Sequence, residues 1–210
     1  MTKIASIRDD YSLPFPPLTK DIHDPMTFFQ QWLSEAINSD QPEPTAMTLC
    51  TVGASGKPSA RMVLLKGIEG GNLHIYTNYE SRKAQDIAVN PFVAVVFFWP
   101  ILQRQVRIEG EIQKLPEEKA IEYFNSRPFE SKLSAIVSPQ SREIQSKEEL
   151  LQQKEELLKQ STTIVKPAYW GGYQLLPERI EFWQGRSGRF HDRVECTKVE
   201  DQWVNRFLAP

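Results

Sequence analysis

Hydrophobic positions along this chain alternate between two periods, and the first change, near residue 45, opens a region dominated by strands. From Pro25 onward, Phe28, Phe29, Trp32, Leu33, Ala36 and Ile37 recur at the three- and four-residue spacing of a helix with one buried face. Asp24 before Pro25 supplies a capping carboxylate and a first-turn proline whose missing N–H costs nothing at that position. Beyond the proline-rich joint at 40–44 the period drops to two, which predicts short strands over 46–52, 59–66, 73–78, 92–99 and 105–114. Gly53, Gly56, Gly67, Gly70 and Gly71 mark the tight connections between them. Ser81 is placed to cap a short helix that stops near Asn90, because the residue before Pro91 disfavours helical backbone.

Helical spacing returns over 116–126 and 141–160. The second stretch is mostly polar, with Ile144, Leu150, Leu151, Leu157 and Leu158 as its apolar positions and a charge run that reads as a solvated face. Three further strands are predicted at 179–184, 189–194 and 203–208. Strands therefore dominate and helices fall between hairpins, a mainly β (α+β) pattern that fits an antiparallel barrel with peripheral helices. Residues 1–22, rich in proline and charge, lack a core of their own and read as an N-terminal arm that docks elsewhere or stays mobile. Residues 23–210 are then expected to form a single domain.

Composition narrows the function. A chain of 210 residues, 40% hydrophobic and 25% charged, can bury one sizeable core. Its net charge of −2 gives no long-range attraction for nucleic acid or an anionic membrane, so neither is expected as a partner and any anion must be held by local clusters. Two cysteines, Cys50 and Cys196, without a CxxC pair suit the reducing cytoplasm. Charges near the N-terminus replace the apolar run of a signal peptide, and no stretch approaches the roughly 18 apolar residues of a membrane span.

The commoner chemistries lack their motifs: no GxGxxG, no GxxxxGK[ST] and no GxSxG occurs. His23, His74 and His191 are isolated from one another and from both cysteines, so no metal site is expected. What remains is a set of arginines and lysines beside aromatics on predicted strands and at their ends. Those residue types suit a phosphate attached to a flat ring.

The strings Arg61-Met62-Val63-Leu64-Leu65-Lys66, Tyr76-Thr77-Asn78, Ser81-Arg82-Lys83 and Gln103-Arg104-Gln105-Val106 follow in one order. They continue through Tyr123-Phe124-Asn125-Ser126-Arg127-Pro128, Gln140-Ser141, Trp170-Gly171-Gly172, Glu181-Phe182-Trp183-Gln184-Gly185 and Arg189-Phe190-His191-Asp192-Arg193. This ordered set, spanning nearly the whole chain, resembles the pyridoxine/pyridoxamine 5′-phosphate oxidase family. The resemblance implies an FMN-binding split β-barrel, a homodimer, and FMN held at the subunit interface. It implies oxidation of pyridoxine 5′-phosphate or pyridoxamine 5′-phosphate by dioxygen to pyridoxal 5′-phosphate and hydrogen peroxide, in vitamin B6 biosynthesis and salvage.

By the same resemblance, Arg61, Met62, Val63, Leu64, Leu65 and Lys66 line the FMN, with Tyr76, Thr77, Arg82, Lys83 and Gln105 completing one wall. Gln140, Ser141, Trp183 and Arg193 supply the other wall, from the second subunit. Lys66, Tyr123, Arg127 and Ser131 hold the substrate phosphate, Arg189 and His191 act on the pyridine ring as the catalytic pair, and Arg8 to Tyr11 fold over the substrate. A strand over 189–194 places 189, 191 and 193 on one face, in order from substrate to cofactor.

The residues alone also admit plainer readings. The segment 61–66 reads as a buried strand bracketed by two cations that reach solvent, Phe182 and Trp183 as core, and Arg127 as a helix-end cation. Strand alternation puts Arg61 and Lys66 on opposite faces; either a strand end or bulge intervenes, or two phosphates approach from different sides. Ser131-Lys132-Leu133-Ser134-Ala135 departs from the family's usual S-Q-I-G-A, and the arginine of the tail, Arg206, stands one place early.

Overall fold

The first helix, α1 (Pro25–Ile37), starts where its cap dictates. Asp24 Oδ1 accepts the Met26 N–H at 3.0 Å and Oδ2 accepts the Thr27 hydroxyl at 2.5 Å. The Thr27 hydrogen bond, helped by backbone N–H groups, holds the carboxyl below its ordinary value. A carboxylate with a depressed native pKa stabilises the fold at pH above its unfolded value and loses that contribution as pH falls through the lowered one. Asp24→Ala is expected to cost about 1 kcal/mol, or about 2–4 °C in melting temperature for a chain of this size. Calorimetry should show the gap to the native protein closing in acid; a gap that persists there would remove the cap as its source.

In this computed structural model the described residues are residue 4, residues 10–160 and residues 164–210; Arg8 lies outside them. The strands are β1 (Ala46–Val52), β2 (Pro58–Leu64), β3 (Gly67–Glu69), β4 (Asn72–Asn78), β5 (Phe92–Trp99), β6 (Arg104–Lys114), β7 (Trp170–Gln184), β8 (Asp192–Val199) and β9 (Gln202–Phe207). The remaining helices are α2 (Arg82–Val89), α3 (Glu117–Ser126), α4 (Phe129–Val137) and α5 (Lys147–Gln160). All strand pairs are antiparallel, in the order β2-β1-β5-β6-β7-β4-β3. β7 is shared: its first half pairs with β4, its second half with β8, and β6 runs along its other edge. That branching gives the split of a split β-barrel.

The concave face of the sheet carries the core. Phe29, Trp32 and Ala36 of α1 pack against Met47, Leu49, Phe97, Trp99, Ile108, Ile180 and Phe182, all of them nearly or fully buried. Phe182 is therefore core, as composition alone suggests, whereas Trp183 points to the opposite face.

Several boundaries differ from the sequence reading, each for a local reason. β7 begins at Trp170 rather than 179 because its internal breakers are accommodated: Pro177 lies at a register shift opposite Gly110, where a bulge relieves the missing N–H. A Cβ on Gly172 would come within 2.7 Å of Leu115 and 2.8 Å of Tyr76, so that glycine serves close packing and not a turn. The predicted strand 189–194 starts only at Asp192, because Gly188 and Arg189 take left-handed backbone (φ 62° and 64°) in a 3-10 turn over Ser187–Arg189. The shared strand face for 189, 191 and 193 is thus corrected: only Arg193 lies on β8.

The helix predicted from 141 begins at Lys147. Ser141 has φ 70°, outside helical backbone, and the Ser146 hydroxyl caps the Glu149 N–H at 3.1 Å. α4, unforeseen, follows Pro128 directly. Gly70 and Gly71, both with positive φ, form the two-residue turn of the β3–β4 hairpin, so 67–69 is strand where turn was expected. The segment 61–66 is not a buried strand: β2 is the sheet edge, with Met62 62% exposed. It ends at Leu64, and this strand end resolves the opposition of Arg61 and Lys66.

Candidate active site

Edge strand β2 and strand β4 frame a cavity of about 450 Å³, closed by α3, α4 and the loop after it. Met62, Val63, Leu64, Lys66, Tyr76, Thr77, Lys83, Tyr123, Arg127 and Gln140 line it, together with Asn78, Ser134, Ala135, Ser138 and Trp170. The structure thus gathers onto one cavity candidates that are scattered along the chain. Trp170, Asn78, Ser134 and Ser138 were not among them. Trp170 and Asn78 stand in motifs named above, Ser134 lies one helical turn from Ser131 on α4, and Ser138 is the extended residue that ends that helix.

Lys83, in the first turn of α2, is the most informative group. Its buried ammonium donates to Gln140 Oε1 at 2.6 Å, Thr77 Oγ1 at 2.9 Å and Ser81 Oγ at 3.1 Å, all uncharged acceptors. Burial, reinforced by the like charge of Arg61, pulls its pKa from 10.5 to about 8. Arg127, which closes α3, lies 4.8 Å over the Trp170 ring, and its buried Nη1 has no hydrogen-bond partner among the described residues. Burial lowers its pKa and raises that of Tyr123. Tyr123 stacks on Tyr76 with centroids 3.9 Å apart and planes 17° from parallel.

Among the described residues no carboxylate pairs with exposed Lys66, half-buried Arg127 or buried Lys83, whereas Arg104, Lys166 and Arg193 each have one. A cavity with three uncompensated cations and a stacked aromatic wall is built for an anionic group on a planar ring. Among the described residues no cluster of His, Cys, Asp and Glu could hold a metal ion, and no helix is long and apolar enough to cross a membrane.

Other candidates lie elsewhere. Arg61 turns to the core side of β2, donating to Leu49 O at 3.1 Å, Thr51 Oγ1 at 2.8 Å and Ser59 Oγ at 2.8 Å. The Leu65 side chain belongs to the core, because the chain turns inward once β2 ends. Arg82 and Ser141 are exposed, and Ser131 stops short of the cavity wall. Gln140 binds Lys83 of its own chain, which corrects its expected place on the second subunit's wall.

A second cluster gathers at the other end of β7. Tyr11 meets Trp183 and His191 edge-on at 5.5 and 5.7 Å, and Trp183 lies 4.7 Å from His191. His191 Nδ1 accepts the Arg186 N–H at 3.1 Å; burial, then the Arg189 charge, holds the imidazole below its ordinary pKa. Arg193 donates to Glu181 Oε1 at 2.8 Å and to Ala209 O at 2.7 Å. Phe98, Gln105, Trp183 and Arg193 form one cross-strand row, and Met62 and Leu64 lie on the same outward face of the sheet. Trp170 and Trp183 are thirteen residues apart on β7, up to about 40 Å along an extended strand. The cavity and the Trp183–His191 cluster thus lie at opposite ends of β7. The sequence reading also missed Arg186, whose contacts are described below.

Comparison with known proteins bears on the family and the fold. Residues 33–161 match the family model for pyridoxamine 5′-phosphate oxidase, and residues 170–210 match the pyridoxine 5′-phosphate oxidase C-terminal dimerisation region. A pyridoxine/pyridoxamine 5′-phosphate oxidase of Chromobacterium violaceum is 47% identical over 209 residues, covering 99% of this chain and 98% of that one. One of Pseudomonas syringae pv. syringae is 44% identical over 211 residues, with the same coverage. Among solved structures, PhzG from Burkholderia lata in complex with tetrahydrophenazine-1-carboxylic acid superposes with a TM-score of 0.90 at 25% identity, covering 96% of this chain and all of that one. An FMN-binding, pyridoxamine 5′-phosphate oxidase-related protein from Nostoc punctiforme shares the fold, with a TM-score of 0.75 at 17% identity over 89% of this chain and 98% of that one. With family models over residues 33–161 and 170–210 and relatives of this identity along nearly its full length, the chain belongs to the pyridoxamine 5′-phosphate oxidase family.

Proposed function

We propose that this protein oxidises pyridoxine 5′-phosphate or pyridoxamine 5′-phosphate to pyridoxal 5′-phosphate, with dioxygen as acceptor, in the cytoplasm. The observation that carries the reading is the cavity where Lys66, Lys83 and Arg127 meet a stacked aromatic wall without a carboxylate to neutralise them. The cofactor is FMN, and the residues fit it: Lys83 borders the cavity with its three N–H groups on neutral acceptors, any of which its phosphate can displace. When bound, FMN supplies the hydride acceptor and the route to dioxygen.

The chain's own residues do the positioning. Lys66, Tyr123 and Arg127 hold the substrate phosphate, which fixes one end of a rigid ring, and near-attack geometry follows from anchoring both ends. His191, neutral and oriented through Nδ1, keeps its proton on Nε2 and can donate it to a ring substituent. Trp183, His191 and Arg193 reach the cavity from a second copy. The outward sheet face that bears them carries exposed Met62 and Phe98 beside the buried carboxylates of Glu181 and Glu195, each held by two arginines. A homodimer across that face gives two composite sites.

A second reading, a carboxylated polycyclic substrate, is favoured only by the likeness to PhzG. One experiment separates them. The purified protein should be yellow, sediment near twice the 24.2 kDa chain mass, and lose its flavin colour anaerobically with pyridoxine 5′-phosphate, regaining it in air with release of hydrogen peroxide. Bleaching by a phenazine-type carboxylate and not by the phosphorylated vitamer would select the second reading; a monomer that still turns over would remove the composite site.

A further inference from the structure

We propose that Arg186 is a positioning residue: its side chain latches residues 11–18 of the N-terminal arm over the Trp183–His191 cluster, so that substrate affinity depends on it while FMN retention does not. This rests on the reading that His191 acts on the substrate ring.

The arm's sequence makes such a latch necessary. Pro14, Pro16 and Pro17 have no N–H, so between the donating N–H groups of Leu13 and Leu18 this stretch offers mainly carbonyls. Arg186 supplies the complementary fork. Nη1 donates to Phe15 O at 2.6 Å and Nη2 to Pro16 O at 2.7 Å. Nε and Nη2 are meanwhile held by Asp192 Oδ2 at 2.9 and 2.6 Å. The same carboxylate oxygen accepts the Leu18 N–H at 3.1 Å. One guanidinium and one carboxylate thus bind three arm residues.

The backbone of the same residue faces the other way. The Arg186 N–H donates to His191 Nδ1, and Tyr11 lies against the preceding residue so closely that a Cβ on Gly185 would come within 2.7 Å of its ring. Arm, Tyr11 and His191 therefore share one two-residue hinge point, 185–186. Residues 20–22 are secured separately, by Asn205 donating to Lys20 O and Ile22 O at 2.8 Å. Leu13, whose N–H donates to Gln103 Oε1 at 3.2 Å, and Phe15, whose ring lies 4.2 Å from the Arg104 guanidinium, keep those contacts, so loss of Arg186 should loosen 11–18 and leave the root of the arm in place.

The test uses Arg186→Gln in the full-length FMN-loaded protein. Hydrogen exchange of peptides covering 10–18 should accelerate by about tenfold or more while α1 stays protected. KM for pyridoxine 5′-phosphate should rise about tenfold with kcat within about threefold, and the FMN dissociation constant should not move. Because the latch acts by holding Tyr11, adding Arg186→Gln to Tyr11→Ala should change KM by less than about twofold. Unchanged exchange over 10–18, full multiplication of the two KM effects, or parallel loss of FMN would each overturn the proposal. If the native protein oxidises neither phosphorylated vitamer, the functional reading falls, and the exchange comparison, which needs no substrate, judges the latch by itself.

Discussion

Arg127→Gln is expected to raise KM for pyridoxine 5′-phosphate by about ten- to a hundredfold and to leave FMN affinity within about twofold. The guanidinium is half-buried over Trp170, with one buried nitrogen unpartnered among the described residues, and it has no carboxylate to neutralise it. A charge-assisted bond to a phosphate contributes roughly 1.5–3 kcal/mol, which converts to that range. Glutamine keeps most of the length and a hydrogen-bonding head but removes the charge and the planar fork. The phosphate-free vitamer provides the internal control, since it should respond little to the substitution. An equal effect on both vitamers, measured as kcat/KM, would show that Arg127 supports the cavity wall and does not anchor phosphate.

Lys83→Met should weaken FMN binding by a similar factor, about ten- to a hundredfold, without abolishing the fold. Its pH dependence is the sharper signature. In the native protein the Lys83 pKa is lowered to about 8, so the ammonium is lost as pH rises through that value and FMN affinity should fall with it. The ligand-free protein should show the opposite trend. Between about 8 and the ordinary 10.5 the unfolded chain binds more protons at this lysine than the folded one, so stability rises with pH across that window. Both slopes should vanish in Lys83→Met. Fluorescence titration of FMN from pH 7 to 10, with parallel thermal melts of the apoprotein, checks the pair; a variant whose FMN affinity still falls through pH 8 would assign the titration to another group.

Much of this architecture was legible from periodicity because it is local. Alternation fixed β1, β5 and β6 almost to the residue, and Asp24-Pro25 fixed the start of α1. What escaped depended on partners distant in sequence. Pro177 and the glycines of β7 look like strand breakers until the bulge at Gly110 and the rings of Tyr76 and Tyr79 are set beside them. Arg189 betrays nothing of its left-handed backbone, so the strand was begun too early.

The site divides the same way. The ordered motifs named residues that the cavity gathers, yet neither motif nor period could tell that Gln140 contacts Lys83 of its own chain. Nor could they tell that Trp170 and Trp183 stand at opposite ends of one strand. Arg186 was invisible because its partners are main-chain carbonyls some 170 residues earlier.

The branching of β7 also bears on how the protein is made. Among the described residues the strands that pair with β4 are β3 and β7, and its Asn78 pairs with Trp170, 92 residues further on. At translation rates of about 5–20 residues per second, that delay is roughly 5–20 s. During this time the β3–β4 hairpin and the outer edge of β6 have left the ribosome with their backbone groups unpaired. Both are templates for intermolecular strand addition. The nascent chain is thus most exposed to misassembly before its longest strand emerges, and the arrival of β7 closes both open edges in one event.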